Sequence, residues 1–123
     1  MIQGSKTMKK TKMLKKNYEF RNILSRGKYY SGKYIEVFLK KNNKNINYLG
    51  IAIGVKIAKA TKRNKIKRLI RESYKNIENE LNMGYSIIFL WKKNVDTINA
   101  NFENIDTDIK KIFYKANIIE DNK

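Results

Sequence analysis

Between positions 59 and 71 the chain places seven cations, Lys59, Lys62, Arg63, Lys65, Lys67, Arg68 and Arg71, with no acidic residue among them. Guanidinium groups present forked donors that match phosphate oxygens, and ammonium groups add point charges, so the chemistry open to this run is recognition of a polyanion. Lysine, asparagine and isoleucine crowd the whole sequence, and this discounts the lysines as compositional habit. Arginine is sharper evidence: only five occur, and three of them lie in this stretch. A charged helix face is often merely solvated, but the missing acids and the clustered arginines argue for a bound anion here.

Bond-making chemistry finds few carriers. Cysteine and histidine are absent, which removes thiolate and imidazole ligands and the commonest general base. The acids are scattered, and Asp106 and Asp108 fall on different sides of their helix, so no convergent carboxylate pair is available for a hydrolytic metal centre. No catalytic side chain, protein-held metal or nucleotide cofactor is assigned. The 28 Lys and Arg against 11 Asp and Glu give a formal charge of +17, which again calls for an anionic partner. The longest apolar run, residues 87–91, is too short to span a bilayer, and the start lacks the apolar stretch of a secretory signal. A membrane-surface peptide would turn its apolar stripe outward, whereas here the stripe is needed for the core. A cytoplasmic, soluble protein without membrane partners is expected.

The elements that must position these groups follow from periodicity. At 123 residues, without proline or a Ser/Gly linker, one domain is the default. Residues 1–13 read as a basic, disordered segment, 14–117 as the domain and 118–123 as a tail. A helix is expected over 17–26, capped by Asn17, with Phe20, Ile23 and Leu24 on one side and Gly27 just past its end. Residues 29–39 alternate as a strand with a bend at Gly32, Tyr34, Glu36 and Phe38 sharing one face; an extra short strand near Tyr29 is an option. Residues 40–47 read as a hairpin loop, and 48–55 as a strand with Leu49, Ile51, Ile53 and Val55 together. Its other face, Tyr48, Gly50, Ala52 and Gly54, leaves the backbone open to close approach, whether by a ligand, a bulge or a tightly packed helix.

A long helix is expected over 59–81, its inner stripe formed by Ile66, Leu69, Ile70, Tyr74, Ile77 and Leu81. Projection at 100° per residue gathers Asn64, Lys67, Arg68, Arg71 and Lys75 opposite that stripe. Asn64 reads equally as a contact or as a local cap. Residues 85–91 are apolar on both faces, a central strand able to take parallel neighbours, and 101–116 form a last helix with early acids and late lysines matching the helix dipole. The order α-β-β-(β)-α-β-α implies an α+β domain: a four-stranded sheet with helices.

The run Ala60-Thr61-Lys62-Arg63-Asn64-Lys65-Ile66-Lys67-Arg68-Leu69-Ile70-Arg71-Glu72 closely resembles the signature of the bacterial ribonuclease P protein subunit. The likeness extends to Leu14-Lys15-Lys16-Asn17-Tyr18-Glu19-Phe20, to Leu49-Gly50-Ile51-Ala52-Ile53 and to the aromatic strand ending near Lys92. The resemblance implies a left-handed βαβ crossover, against the general right-handed preference. It also implies an endoribonuclease subunit that assists a catalytic RNA, with Mg²⁺ at the RNA, in removing the 5′ leader from precursor tRNA. By resemblance, Lys56, Arg63, Asn64, Lys65, Lys67, Arg68 and Arg71 contact the catalytic RNA. The resemblance further implies that Lys16, Phe20 and Phe38 line a cleft between the first helix and the sheet for the single-stranded leader, and the strand alternation adds Tyr34 to this leader-binding set beside Phe38. Aromatics beside small residues suit unpaired bases, and the same rings can also simply pack helix to sheet. Val55, Ala58 and Trp91 depart from the family pattern, and Lys65 replaces an expected arginine. A ribosomal protein or general RNA chaperone would share the size, charge and α+β form but not the long motif.

Overall fold

Ile35, Val37 and Leu39 alternate toward one dry face, and residues 87–91, apolar on both faces, suit the centre of the same sheet. In the computed structural model, which describes Met8 and residues 10–119, β1 (Thr11–Met13), α1 (Asn17–Arg26), β2 (Lys28–Ser31), β3 (Ile35–Lys41) and β4 (Asn47–Ala52) come first. They are followed by α2 (Ala60–Ile77), a 3-10 turn (Glu78–Glu80), β5 (Tyr85–Trp91), a second 3-10 turn (Thr97–Asn99) and α3 (Phe102–Lys115). The fold is α+β, with a five-stranded mixed sheet in the order β1-β4-β5-β3-β2.

β5 is the centre, parallel to β4 and antiparallel to β3. Its register stacks Val37, Phe89 and Ile51 in one row and Leu39, Ile87 and Leu49 in the next, all on the face that joins Ile66, Ile70, Tyr74, Ile109 and Phe113 in the main core. Phe113 sets its edge against Tyr74, with centroids 6.4 Å apart, and its ring 5.8 Å from Phe89, aromatic geometry that adds to plain burial. The Ser73 hydroxyl donates to Asp106 Oδ1 at 2.7 Å, tying α2 to α3. On the opposite face α1 packs across the sheet, with Ile23 and Ile88 buried outside the main core.

Several expectations change. Residues 40–47 do not close a hairpin, because β5 is inserted between β3 and β4; the hairpin is instead β2–β3. Its turn is held from afar: the buried Asp108 carboxylate accepts the N–H groups of Lys33, Tyr34 and Ile35 at 2.8, 2.7 and 2.9 Å. A Cβ at position 32 would stand 2.5 Å from Asp108 Oδ2, so glycine is required there for the carboxylate's approach. Four strands become five because Thr11–Met13, assigned to the disordered segment 1–13, pairs in parallel with β4. Thr11 Oγ1 and Asn47 Nδ2 meet the buried Tyr74 hydroxyl at 2.7 and 3.2 Å, and the Lys10 N–H donates to Glu78 at 3.0 Å.

At the other end Ile118 is buried and Ile119 bridges Leu81, so these two residues of the expected tail pack with the domain. Residues 1–7, 9 and 120–123 of the two expected terminal segments lie outside the described residues. Helix α2 stops at Ile77 rather than 81, the last stretch tightening into 3-10 geometry. Strand β4 ends at Ala52, and Ile57 N–H closes a turn on the Gly54 carbonyl at 3.0 Å.

Candidate nucleic-acid interface

The inner stripe of α2 fixes its outer face. With Ile66, Leu69, Ile70, Tyr74 and Ile77 buried, Asn64, Lys65 and Arg68 are exposed and Lys67, Arg71 and Lys75 half-buried. Burying the stems while leaving the heads in water is the usual disposition of long cationic side chains. The helix starts at Ala60 with Lys59 in the cap position, no side chain bonded to its free N–H groups and no acid in its first turn. Its positive end therefore adds to the cations rather than being neutralised by an aspartate or glutamate. Asn64 lies one turn inside the helix, so the cap reading falls away.

Two cations have protein partners. Arg68 Nε lies 3.7 Å from Glu72, an exposed pair one turn apart and worth little in water, so the guanidinium is readily given up to a phosphate. The Arg63 Nη1 donates to the Ala58 carbonyl at 2.6 Å, bracing the segment that leads into α2 while its remaining donors stay available. Lys56 is exposed in that segment, beside Val55, which is 74% exposed. Lys56, Arg63, Asn64, Lys65, Lys67, Arg68 and Arg71 are thus all on α2 or the segment leading into it.

The face beneath α1 carries the second set. Register aligns Gly50, Ile88, Phe38 and Tyr29 in one row across β4, β5, β3 and β2. A Cβ at Gly50 would stand 2.7 Å from the Phe20 ring, so the glycine face of β4 is open because α1 comes down on it. Gly27 has an equivalent reason: its φ is −75°, and a Cβ would strike the Ile23 carbonyl at 2.5 Å and the Leu39 carbonyl at 3.1 Å. Phe38 is half-buried with the Tyr29 ring 5.2 Å away. The Tyr29 hydroxyl donates to Glu36 at 2.7 Å, and this bond to a carboxylate raises its pKa above the ordinary value. Lys16, exposed, caps α1 with its backbone, its N–H donating to Glu19 at 3.2 Å, so Asn17 is the first helical residue and not the cap.

Tyr34 does not join this set. Its N–H is taken by Asp108, its ring stacks on Trp91 at 6.2 Å and 22°, and it borders the same recess as Glu103, Thr107 and Lys111 of α3. The alternation that paired it with Phe38 is broken by the Asp108-anchored turn, and β3 begins only at Ile35. Trp91 is itself buried, its indole N–H donating to the Val95 carbonyl at 2.7 Å, which accounts for an aromatic at the end of β5.

The chain as a whole has counterparts among known proteins. A profile of the family described as ribonuclease P matches residues 8–117. The chain belongs to the ribonuclease P protein family. It is 36% identical over 110 residues to the ribonuclease P protein component of Clostridioides difficile, covering 89% of this chain and 95% of that one. The Clostridium botulinum counterpart is 37% identical over 112 residues, covering 90% and 98%. Among solved structures, the Staphylococcus aureus RNase P protein superimposes with a TM-score of 0.75 at 27% identity, covering 88% of this chain and 97% of that one. The Thermotoga maritima RNase P protein gives 0.76 at 26%, covering 84% and 96%. Ribonuclease P proteins of this fold share the small α+β domain described above.

The sequence reading missed residues that brace the sheet and its turns. Asp108 carried no signal beyond its position on α3, and the pairing of Thr11 and Asn47 with Tyr74 required the sheet order. No helix among the described residues is long and apolar enough to cross a membrane.

Proposed function

We propose that the chain docks on the catalytic RNA of ribonuclease P through α2 and holds the single-stranded 5′ leader of precursor tRNA beneath α1 while the leader is removed endonucleolytically. The outer face of α2 carries this reading: Asn64, Lys65, Lys67, Arg68 and Arg71 lie on a helix whose first turn has neither an acid nor a side-chain cap. Such a face neutralises backbone phosphates without reading base sequence, which is what docking on a folded RNA requires. Arg63 then has two duties, bracing Ala58 and offering its free donors, and Lys56 extends the face backwards.

The leader surface is the flank of α1 that bears Phe20, with Phe38 on the sheet and Lys16 at the helix start. Unpaired bases stack on such rings and a lysine follows the backbone. Mg²⁺ held by the RNA would supply the charge neutralisation of the cleavage step; the protein's side chains bind and orient. A precursor-tRNA substrate is in keeping with a cytoplasmic location for the chain.

The two surfaces are separable by experiment. Arg68→Ala weakens assembly with the catalytic RNA for every substrate. Phe38→Ala leaves assembly intact and lowers the preference for leader-bearing substrate over mature product. Equal loss for both substrates in the Phe38 variant refutes the leader surface, and unchanged assembly in the Arg68 variant refutes the docking face.

A further inference from the structure

The other flank of α1 is also shaped. Register places Tyr48, Ser86 and Lys40 in a row across β4, β5 and β3, and with Tyr18 and Asn22 of α1 they line a groove of about 530 Å³. Phe20 and Phe38 do not line it. At 100° per residue Tyr18 and Asn22 leave α1 on one side, Phe20 and Leu24 on the other.

We infer that this groove is a further site for one single-stranded ribonucleotide, distinct from the flank of Phe20 and Phe38. Its volume falls in the range of small-ligand sites, roughly 300–1,000 Å³. Its two aromatic walls are each paired with a cation: Lys16 Nζ stands 5.7 Å from the Tyr18 centroid, and Lys44 Nζ 5.7 Å from that of Tyr48. Tyr18 is 60% exposed, so its ring is open to a base. The position of Lys44 is set by the backbone, its N–H donating to Asn42 Oδ1 at 2.8 Å while Asn42 Nδ2 donates to the Ile46 carbonyl at 3.1 Å.

Charge selects the occupant. Lys40 and Lys44 line the groove and Lys16 adjoins it, against one acid, Glu19, which already accepts the Lys16 N–H. An apolar peptide gains nothing from these ammonium groups, whereas a nucleotide uses the rings for its base and the ammonium groups for its phosphates. The nucleotide can come from the leader or from an unpaired position of the catalytic RNA. For free RNA the site shares Lys16 with the leader surface proposed above and does not otherwise depend on that surface or on the docking face.

The test uses the full chain and a short thiouridine-substituted single-stranded oligoribonucleotide. Photocrosslinks mapped by mass spectrometry are expected at Tyr18 or Tyr48. Tyr18→Ala, an exposed substitution, should weaken binding by about fivefold or more with an unchanged melting curve, and Lys44→Ala should reduce the salt dependence. Crosslinks confined to Phe20 and Phe38, or an affinity for Tyr18→Ala within about twofold of the parent, would overturn the site. In the assembled ribonucleoprotein, thiouridine placed in the leader or in the catalytic RNA identifies the source; crosslinking to the groove from neither also overturns it. Such a failure leaves the Arg68 and Phe38 outcomes untouched.

Discussion

Asp108→Asn tests how the sheet is held in place. The Asp108 carboxylate is 4% exposed and accepts three backbone N–H groups from the β2–β3 turn. Hydrogen bonds to a charged group contribute about 1.5–3 kcal/mol each, but three bonds to one carboxylate do not add, and the turn gains water once the anion is gone. The asparagine oxygen keeps part of the set, while its amide group faces a backbone donor. A loss of about 3 kcal/mol is therefore predicted. With a urea slope near 1.5 kcal/mol per molar, the unfolding midpoint should fall by about 2 M without a change in slope. Below the transition the variant should still bind the catalytic RNA, because Asp108 lies away from the outer face of α2. A shift equivalent to less than about 0.5 kcal/mol, the range of ordinary surface changes, would refute the claim that this carboxylate anchors the hairpin.

Other outcomes follow from the same geometry. Arg68→Ala should lower affinity for the catalytic RNA by about 1–2 kcal/mol and reduce the slope of log affinity against log salt by about one, in titrations over several salt concentrations; an unchanged slope would remove Arg68 from the phosphate contacts. Gly50→Ala puts a Cβ 2.7 Å from the Phe20 ring, so it should cost about 1–3 kcal/mol in urea unfolding and lower leader discrimination while sparing docking. Tyr74 has its pKa raised above 10.0, first by burial. The folded state thus keeps a proton that the unfolded state releases, so stability is full below pH 10 and falls as the pH rises through the folded pKa. Melting curves of Tyr74→Phe should show a weaker alkaline decline, from a lower starting stability because the bonds to Thr11 and Asn47 are lost.

What could be read from the residues was the part written in local periodicity. The inner stripe of α2, the limits 17–26 of α1 and the limits 85–91 of β5 follow from spacing alone and agree with the fold. Tertiary pairing was not legible. Nothing local in residues 40–47 tells that β5 will enter between β3 and β4, so a hairpin was the natural reading. Thr11–Met13 is too short and too polar to declare itself a strand; it is one because β4 offers an edge and Tyr74 a hydroxyl partner. Tyr34 shows the same limit at the site: alternation assigns it to the face of Phe38, and a carboxylate far along the chain turns it toward Trp91. The glycine face of β4 was noticed without its occupant, which proves to be Phe20. The basic face of α2 was legible because a helix with a clear apolar stripe determines its opposite side.

The central claim is that this chain is an RNA-docking and leader-holding subunit. The direct measurement is cleavage of a precursor tRNA by the cognate catalytic RNA at low Mg²⁺, with and without the protein. Stimulation that depends on the leader, and that Arg68→Ala reduces, is the predicted result; cleavage at the same rate in the protein's presence and absence would contradict the account.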